Sequence, residues 1–496
     1  MSYTKSYSTN RSPLEQVNEE SSSQVEWGGD ALKSTLRFLL VPAVFLLIVL
    51  VLGVKLPGWA LYGFAGILGT VLFVHSLRDA EWALASFALY MPLSKIVVIP
   101  IAPGINGTNI FILLLIISWL STINRDERPL FKDYPNSKLV KWFGIISCFS
   151  AVTLAFIDGG LSYLFEDVFE EYKGWIDQFI VFFLFLGLIR DGAMARRMVI
   201  YLLLGMLVVL AMGVMEMLDK MGLSSIEKSR VEGPQLQSND FGAFLVYSIS
   251  PFIGIAIVYM SKLRIYAMLP VFFLYAKVLI STFSRGAYLG FAVAGLVAGY
   301  VRGKLFLFVM GVLAIITLLI FPQLIPQSIL DRFEHTTGQG IHSQQMDASS
   351  ADRIILWNAG VDMTIESPLL GKGFKAFQHL KSEYTERPVR VSDPHNIYLY
   401  ISSQMGIPAL ILFLMIIYKH YSMSVFLARH SQERFVRALG IGGAAMAGGV
   451  AAINIFGSRM VNIEVCGYFW IYLAVIMHLI YEFQNNKQQM NENEKN

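Results

Sequence analysis

Apolar stretches separated by shorter polar segments recur along almost the whole chain. Each stretch approaches the length of about 20 residues with which an α-helix crosses about 30 Å of hydrocarbon. The pattern therefore predicts an all-α polytopic membrane protein with about 12–14 transmembrane helices. The candidate spans cover residues 36–54, 58–75, 82–101, 109–123, 140–157, 175–190, 197–217, 240–260, 264–283, 286–301, 304–321, 395–418, 436–456 and 464–482.

One polar segment, residues 322–394, is much longer than the others and predicts a large loop that contains short helices. Pro368 and the glycines at 371 and 373 should end a helix within it. Four apolar residues of that helix have the spacing of one face: Ile354, Trp357, Val361 and Ile365. The expected organisation is a disordered tail over 1–33, transmembrane helices over 34–321, the loop over 322–394, C-terminal transmembrane helices over 395–483 and a solvated tail over 484–496.

The composition excludes a string of soluble domains. Of the 496 residues, 55% are hydrophobic and only 15% are charged, whereas soluble domains contain about 25% charged residues. A net charge of +3 is too small to indicate a nucleic-acid partner. The two cysteines, Cys148 and Cys466, lie in or beside apolar stretches, so neither a disulfide framework nor zinc-binding spacing is present.

The basic residues indicate how the chain crosses the membrane, because loops rich in Lys and Arg remain in the cytosol. Alternate loops carry most of them, including 125–141, 190–197 and 419–437. The intervening early loops are poor in basic residues or acidic. Both termini should therefore lie in the cytosol, and the loops 218–239, 284–286, 322–394 and 457–463 should face outward.

His395 and Asn396 stand where the long loop meets an apolar stretch, so an imidazole there could contact both a lipid-borne and a water-borne molecule. Arg230, Arg285 and Arg353 lie in or beside outward loops. Guanidinium groups bind phosphate oxygens in a bidentate manner, and histidine can act as a base near ambient pH. Structural alternatives exist for each residue. The loop arginine Arg230 could be solvated, Arg285 could snorkel to the interface, Arg353 could pair with Asp352 or Glu366, and His395 could begin a helix capped by Asp393.

Two lysines fall within predicted spans, where a charge is costly and is often functional. Lys277, Ser281 and Arg285 have helical spacing and should lie on one face. Lys95 lies at comparable depth in another span. Each lysine could instead pair with Glu216, Asp240 or Glu464. No outward cluster has the spacing of metal ligands, and no cofactor is expected.

The order of these motifs resembles the O-antigen ligase and polymerase superfamily over roughly residues 230–415. The motifs are Ser284-Arg285-Gly286, Arg353 with Trp357, Ser367-Pro368-Leu369-Leu370-Gly371-Lys372-Gly373, His395-Asn396-Ile397-Tyr398-Leu399 and Gly406-Ile407-Pro408. The long polar N-terminal segment departs from the family pattern, as does a count of up to two spans more than the family's twelve.

The resemblance implies a metal-independent, inverting glycosyltransferase of the C type in a bacterial inner (plasma) membrane. Such enzymes move a glycan from an undecaprenyl-pyrophosphate carrier to an acceptor sugar or hydroxyl on the periplasmic side, for example a lipid A-core type acceptor. Segment 322–394 would then be a periplasmic loop. His395 would be the base or would orient the acceptor, Arg285 would bind the pyrophosphate, and Arg230 and Arg353 would assist. Lys277 and Asn396 are further candidates for substrate binding.

A transporter or flippase of a lipid-linked or anionic substrate is the alternative. It would depend on charges within the spans, such as Lys277 and Lys95, and would tolerate loss of the outer loop. Within the superfamily, ligases, polymerases and protein O-glycosyltransferases share these motifs. The sequence does not choose among them.

Overall fold

A computed structural model describes residues 58–97, 106–126, 134–154, 162–223, 226–320 and 348–493. The N-terminal tail (1–33), the predicted first span (36–54) and residues 321–347 of the large loop lie outside this description. No β-strand occurs in the described ranges. The helices are α1 Gly58–Arg78, α2 Ala80–Tyr90, α3 Gly107–Asp126, α4 Ser137–Leu154, α5 Phe169–Leu188, α6 Gly192–Asp219, α7 Ser238–Tyr259, α8 Leu269–Ser281, α9 Arg285–Arg302, α10 Lys304–Ile320, α11 Ala348–Glu366, α12 Ala376–Tyr384, α13 Ile397–His430, α14 Arg434–Ile453 and α15 Ile463–Asn493.

The prediction of an all-α polytopic membrane protein is confirmed. Among the described residues, five helices are long and apolar enough to cross a membrane, namely α6, α7, α13, α14 and α15 up to Gln489. Shorter apolar segments lie in α1, α3, α8 and α10. The total of 12–14 spans stays a prediction. The chain divides into a unit that ends at Val74 and one that begins at His75, and the packing described below belongs to the second.

Small residues bring α7, α13 and α14 close together. A Cβ atom at Gly442 of α14 would lie 2.7 Å from the Cα of Pro251 in α7, and one at Gly440 would lie 2.5 Å from the backbone nitrogen of Ala428 in α13. Such contacts are typical of membrane helices, whose association depends on close packing instead of the hydrophobic effect. The three helices form the centre against which α15 is also buried.

The chain interrupts α13 at Gly406, which has a φ of 85° and is followed by Pro408. The turn at residues 367–373, which we call the 367–373 turn, fills this break. The Ile407 N–H donates to the Pro368 carbonyl (2.7 Å), and the Lys372 N–H donates to the Ser403 carbonyl (2.8 Å). Backbone groups that a broken membrane helix would leave unpaired are thus satisfied by protein.

One local expectation was wrong. Helix α8 ends at Ser281, and Phe283 adopts a φ of 51° before α9 begins, so Lys277, Ser281 and Arg285 do not share one helical face.

Two further elements are defined more closely than the sequence pattern allowed. In α11, the face with Ile354, Val361 and Ile365 is exposed, whereas Leu356, Ala359, Gly360 and Met363 are buried. The C-terminal polar segment continues α15 as far as Asn493.

Candidate active site

Residues 453–459 begin with the last residue of α14 and connect the ends of several helices. We call them the 453–459 segment. The carbonyl of Asn454 accepts a hydrogen bond from the Ile397 N–H at the start of α13 (3.0 Å). A Cβ atom at Gly286 would lie 3.6 Å from Ile453 and Phe456, so the start of α9 packs against the same segment. The rings of Phe456 and Trp357 of α11 lie 6.1 Å apart. Three motifs that are distant in sequence therefore meet here.

His395 stands at the start of α13 in an uncommon backbone conformation, with a φ of 49°. Non-glycine residues with positive φ are strained and are enriched at functional sites. Asp393 stabilises this turn because its Oδ1 accepts the backbone N–H of His395 (2.5 Å). The same oxygen lies 2.9 Å from His395 Nδ1. This is the distance of an ion pair without the alignment of a hydrogen bond, so the carboxylate acts on the imidazole through its charge.

The electrostatics of this pair favour a charged carboxylate. Burial acts to raise the pKa of Asp393, but the hydrogen bond and charge of His395, together with the charge of Arg459, hold this pKa below its ordinary value of 3.8. The hydroxyl of Ser458 also lies 3.5 Å from Asp393 Oδ1. An ionised Asp393 can stabilise a positive charge that develops on His395.

Asn396 is the N-terminal cap of α13, whereas the structural alternative had named Asp393 as the cap. Its Oδ1 accepts the N–H groups of Tyr398 (2.9 Å) and Leu399 (3.2 Å). This contact satisfies backbone donors that the first helical turn would otherwise leave unpaired. Asn396 therefore has a structural role in addition to the substrate-binding role that the sequence predicted for it.

Arg230 and the start of α9 are held together by backbone contacts. The Val231 N–H donates to the Ser281 carbonyl (2.9 Å), and Arg230 Nε donates to the Thr282 carbonyl (3.2 Å). Ser284 then caps α9, and Arg285 is its first residue. Since α9 begins against the 453–459 segment, Arg230 and Arg285 lie at the same end of the bundle as His395. We call this the His395 end.

Arg353 lies one helical turn before Trp357 in α11, and Trp357 packs on the 453–459 segment. The two suggested partners of Arg353 each pair with another basic residue. Asp352 pairs with Arg387 (2.5 Å), and Glu366 pairs with Lys372 (2.7 Å). Arg353 therefore lies on a helix that contacts the 453–459 segment one turn further along.

The two lysines within predicted spans have no comparable placement. Lys277 is exposed on α8, with its ammonium 5.6 Å from the centre of the Phe273 ring. Lys95 pairs with Glu464 (2.9 Å), as the alternative interpretation proposed. Among these described contacts, neither lysine reaches the 453–459 segment.

Arg459 is a buried residue that the sequence analysis did not single out. Its Nη1 contacts Asp240 of α7 in an ion pair and donates to Gln237 Oε1 (3.0 Å). Its backbone N–H donates to Asn454 Oδ1 (2.9 Å). A basic residue in an outward loop runs against the usual distribution of charge in membrane proteins, and that signal could have identified it.

These groups can support proton removal beside bound anions. A histidine oriented by a carboxylate is a suitable general base, and arginines at loop and helix starts can bind phosphate oxygens. Within the described ranges, no group of three or more His, Cys, Asp or Glu residues is arranged to hold a metal ion. The fold and this site together define a multi-pass membrane protein with a histidine–arginine centre at one end of its helices.

Comparison with known proteins shows what part of the chain resembles a described family. Residues 270–414 match the family described as O-Antigen ligase. A Rickettsia conorii protein provisionally named polysaccharide ligase is 28% identical over 152 residues, which are 28% of this chain and 34% of that protein. A Rickettsia felis protein with the same provisional name is 26% identical over 188 residues, 35% of this chain and 43% of that protein. The resemblance to the O-antigen ligase superfamily is thus confirmed. The matches span about a third to two fifths of these relatives' length.

Proposed function

We propose that the protein is a membrane glycosyltransferase of the O-antigen ligase type. It transfers a glycan from an undecaprenyl-pyrophosphate carrier to an acceptor sugar or hydroxyl at the His395 end of the bundle, which we assign to the periplasmic side of the inner membrane. The observation that carries this proposal is the convergence of Arg285 and His395 on the 453–459 segment. The match of residues 270–414 to O-antigen ligase supports it.

His395 is the general base in this mechanism. Asp393 lies 2.9 Å from Nδ1, so Nε2 is the nitrogen that takes the proton of the acceptor hydroxyl. The acceptor oxygen then attacks the anomeric carbon of the donor sugar as the bond to the pyrophosphate breaks. A single displacement of this kind inverts the anomeric configuration.

The arginines stabilise the leaving group. The pyrophosphate gains negative charge as its bond to the sugar breaks, and fixed guanidinium groups bind this charge more strongly in the transition state than in the ground state. In this proposal Arg285, the first residue of α9, binds the pyrophosphate, and Arg230, which donates to the carbonyl of Thr282 just before α9, assists. Arg353 assists from α11.

The transporter alternative has less support from these observations. A translocation pathway would require the in-span charges to line a protected route. Lys277 is exposed on α8 beside Phe273, and Lys95 is neutralised by Glu464. The polar groups at the His395 end therefore favour the transferase hypothesis.

Replacing His395 or Arg285 by alanine should abolish glycan transfer, since each change removes a group that acts on the reacting atoms. The measurement is the transfer of a lipid-linked glycan to an acceptor by purified protein in vesicles, with membrane insertion checked separately. His379→Ala and Arg302→Ala are matched controls, because both residues are exposed and Arg302 lies at the opposite end of α9. Both controls should retain transfer.

Retention of transfer by the His395 and Arg285 variants alike would refute the assignment. The donor substrate can be identified in a strain that lacks the protein, because the unused lipid-linked glycan should accumulate there. Analysis of that glycan and of the missing product would distinguish a ligase from a polymerase. If the lipid-linked glycan of the deletion strain no longer crossed the bilayer and did not accumulate at the outer face, the flippase alternative would be favoured.

A further inference from the structure

The 367–373 turn leaves large apolar side chains uncovered. Leu369 and Leu370 are 71% and 61% exposed, and Ile365, at the end of α11, is 70% exposed. The backbone of this turn is nevertheless fixed by its hydrogen bonds to the break in α13. Rigid backbone with exposed leucines at the tip is unusual in water, where such contiguous patches mark interaction surfaces.

The patch continues a row of apolar residues on a membrane-spanning helix. Beyond the break, α13 exposes Ile407, Ile411, Leu414 and Tyr418. Their spacing of four, three and four residues places them on one face. Because α13 is long and apolar enough to cross a membrane, we assign this exposed face to lipid.

The turn adjoins the first residue of that row. A Cβ atom at Gly406 would lie 2.3 Å from the Leu369 carbonyl oxygen and 3.0 Å from the Leu370 nitrogen. Leu369 and Leu370 therefore stand directly beside Ile407, at the level where the lipid-facing row begins. The apolar surface of the helix therefore continues onto the turn.

Polar groups border the patch on its other side. Lys372 pairs with Glu366 (2.7 Å), and Tyr384 donates a hydrogen bond to the same carboxylate (2.6 Å). Tyrosine and lysine beside an apolar surface are typical of the boundary between hydrocarbon and headgroups, where an apolar body and a polar tip are both accommodated. The 367–373 turn thus exposes apolar side chains that are bordered by polar ones.

We propose that the 367–373 turn inserts into the membrane and that Leu369 and Leu370 contact the hydrocarbon of the leaflet at the His395 end. The occupant of the patch is bilayer hydrocarbon, because the patch extends the lipid-facing row of α13. The segment predicted as a solvent-exposed loop is then anchored to lipid at the point where it fills the α13 break. The start of α13, which carries His395, is consequently tied to the membrane surface.

The proposal is tested with a spin label at Leu370→Cys in protein reconstituted into phosphatidylethanolamine and phosphatidylglycerol vesicles. Cys148 is replaced by Ser, and protein without an introduced cysteine measures any labelling of buried Cys466. Ile411→Cys on the α13 row is the lipid-facing reference, and Glu383→Cys, an exposed position of α12, is the aqueous reference. Oxygen partitions into hydrocarbon, whereas a nickel chelate stays in water.

We expect oxygen to relax the label at residue 370 several times more effectively than the nickel chelate, as at residue 411, with the order reversed at residue 383. Preference for the nickel chelate at residue 370 would overturn the proposal. Shielding from both reagents would also overturn it, since the patch would then be covered by protein such as a second copy. If the labelled variant fails to fold, Leu370→Trp retains an apolar side chain, and the fluorescence that it adds to that of the eight native tryptophans should be quenched by brominated lipids. Absence of that quenching would count against insertion.

Discussion

The carboxylate of Asp393 determines how the imidazole of His395 can act. It accepts the backbone N–H of the same histidine, which fixes the carboxylate within the turn, and its Oδ1 lies 2.9 Å from Nδ1. A fixed negative charge beside the ring stabilises the imidazolium that forms when His395 takes a proton. Asp393 therefore acts through His395 in the proposed mechanism, whereas His395 touches the substrate.

Asp393→Asn should slow transfer while leaving the KM for the donor little changed. The substitution preserves the shape of the side chain but removes the charge that stabilises protonated His395. We expect kcat to fall by about 10- to 100-fold, part of the factor of about 10²–10⁴ that general-base catalysis contributes. Steady-state kinetics on the reconstituted protein measure both parameters.

Asp362→Asn is the matched control, because Asp362 is an exposed carboxylate of α11. It should leave kcat unchanged. Asp393→Glu retains the charge and should restore part of the lost rate. Equal kcat for the Asn variant and the unmodified protein would show that the contact has no role in catalysis.

The lowered pKa of Asp393 gives a pH dependence with a defined sign. Its pKa lies below the ordinary value of 3.8, so the stability contributed by its contacts is present above that value and is lost as pH falls through the folded pKa. Titration of Asp393 should therefore not affect transfer at neutral or mildly acidic pH. A decline in transfer in that range must arise from another group.

At the level of elements, the sequence predicted most helices but not the shapes of their ends. Hydrophobic runs and helix stop signals located α11, which ends before Pro368 as expected. The break between α8 and α9 depends on Phe283 in a left-handed conformation, which a bulky residue rarely adopts and a pattern does not predict. The docking of the 367–373 turn is a tertiary contact between distant motifs, so the sequence pattern did not predict it either.

Gly371→Ala should weaken the docking of the 367–373 turn. Gly371 has a φ of 69°, and an added Cβ would lie 2.2 Å from the carbonyl carbon of Gln404. Because that neighbour is backbone and cannot move aside, strain of about 1–3 kcal/mol should result. Thermal unfolding in detergent should show a lower midpoint for this variant.

Gly295→Ala serves as the comparison. Gly295 lies within α9, and an added Cβ there meets nothing within 4 Å. Alanine favours a helix over glycine by about 0.5–1 kcal/mol, so this variant should be as stable as the unmodified protein or slightly more stable. If Gly371→Ala unfolds at the same temperature as Gly295→Ala, the close contact with α13 is not maintained in the protein.

Over the whole molecule, the two ends of the bundle differ in chemistry. The His395 end holds the 453–459 segment and the buried Arg459–Asp240 pair. The opposite end carries basic side chains near the start of α14, where Arg196 pairs with Glu433 (3.0 Å). Charge patterning in the sequence predicted this separation of loops. It did not predict that Arg459 would be buried, because only the folded chain brings Asp240 beside it.

The difference between the ends makes the orientation in the membrane testable. Basic loops remain in the cytosol, so the end with Arg434 should be cytosolic and the His395 end periplasmic. The test uses protein in which serine replaces both native cysteines, in cells whose outer envelope is made permeable to a maleimide that does not cross the inner membrane. Lys228→Cys and Glu383→Cys should react with this maleimide. Lys262→Cys and Arg429→Cys should react only after the inner membrane is permeabilised. All four residues are exposed, so accessibility from each side decides the result. The opposite labelling pattern would place His395 in the cytosol, where a carrier-linked glycan would have to be used before it crosses the membrane.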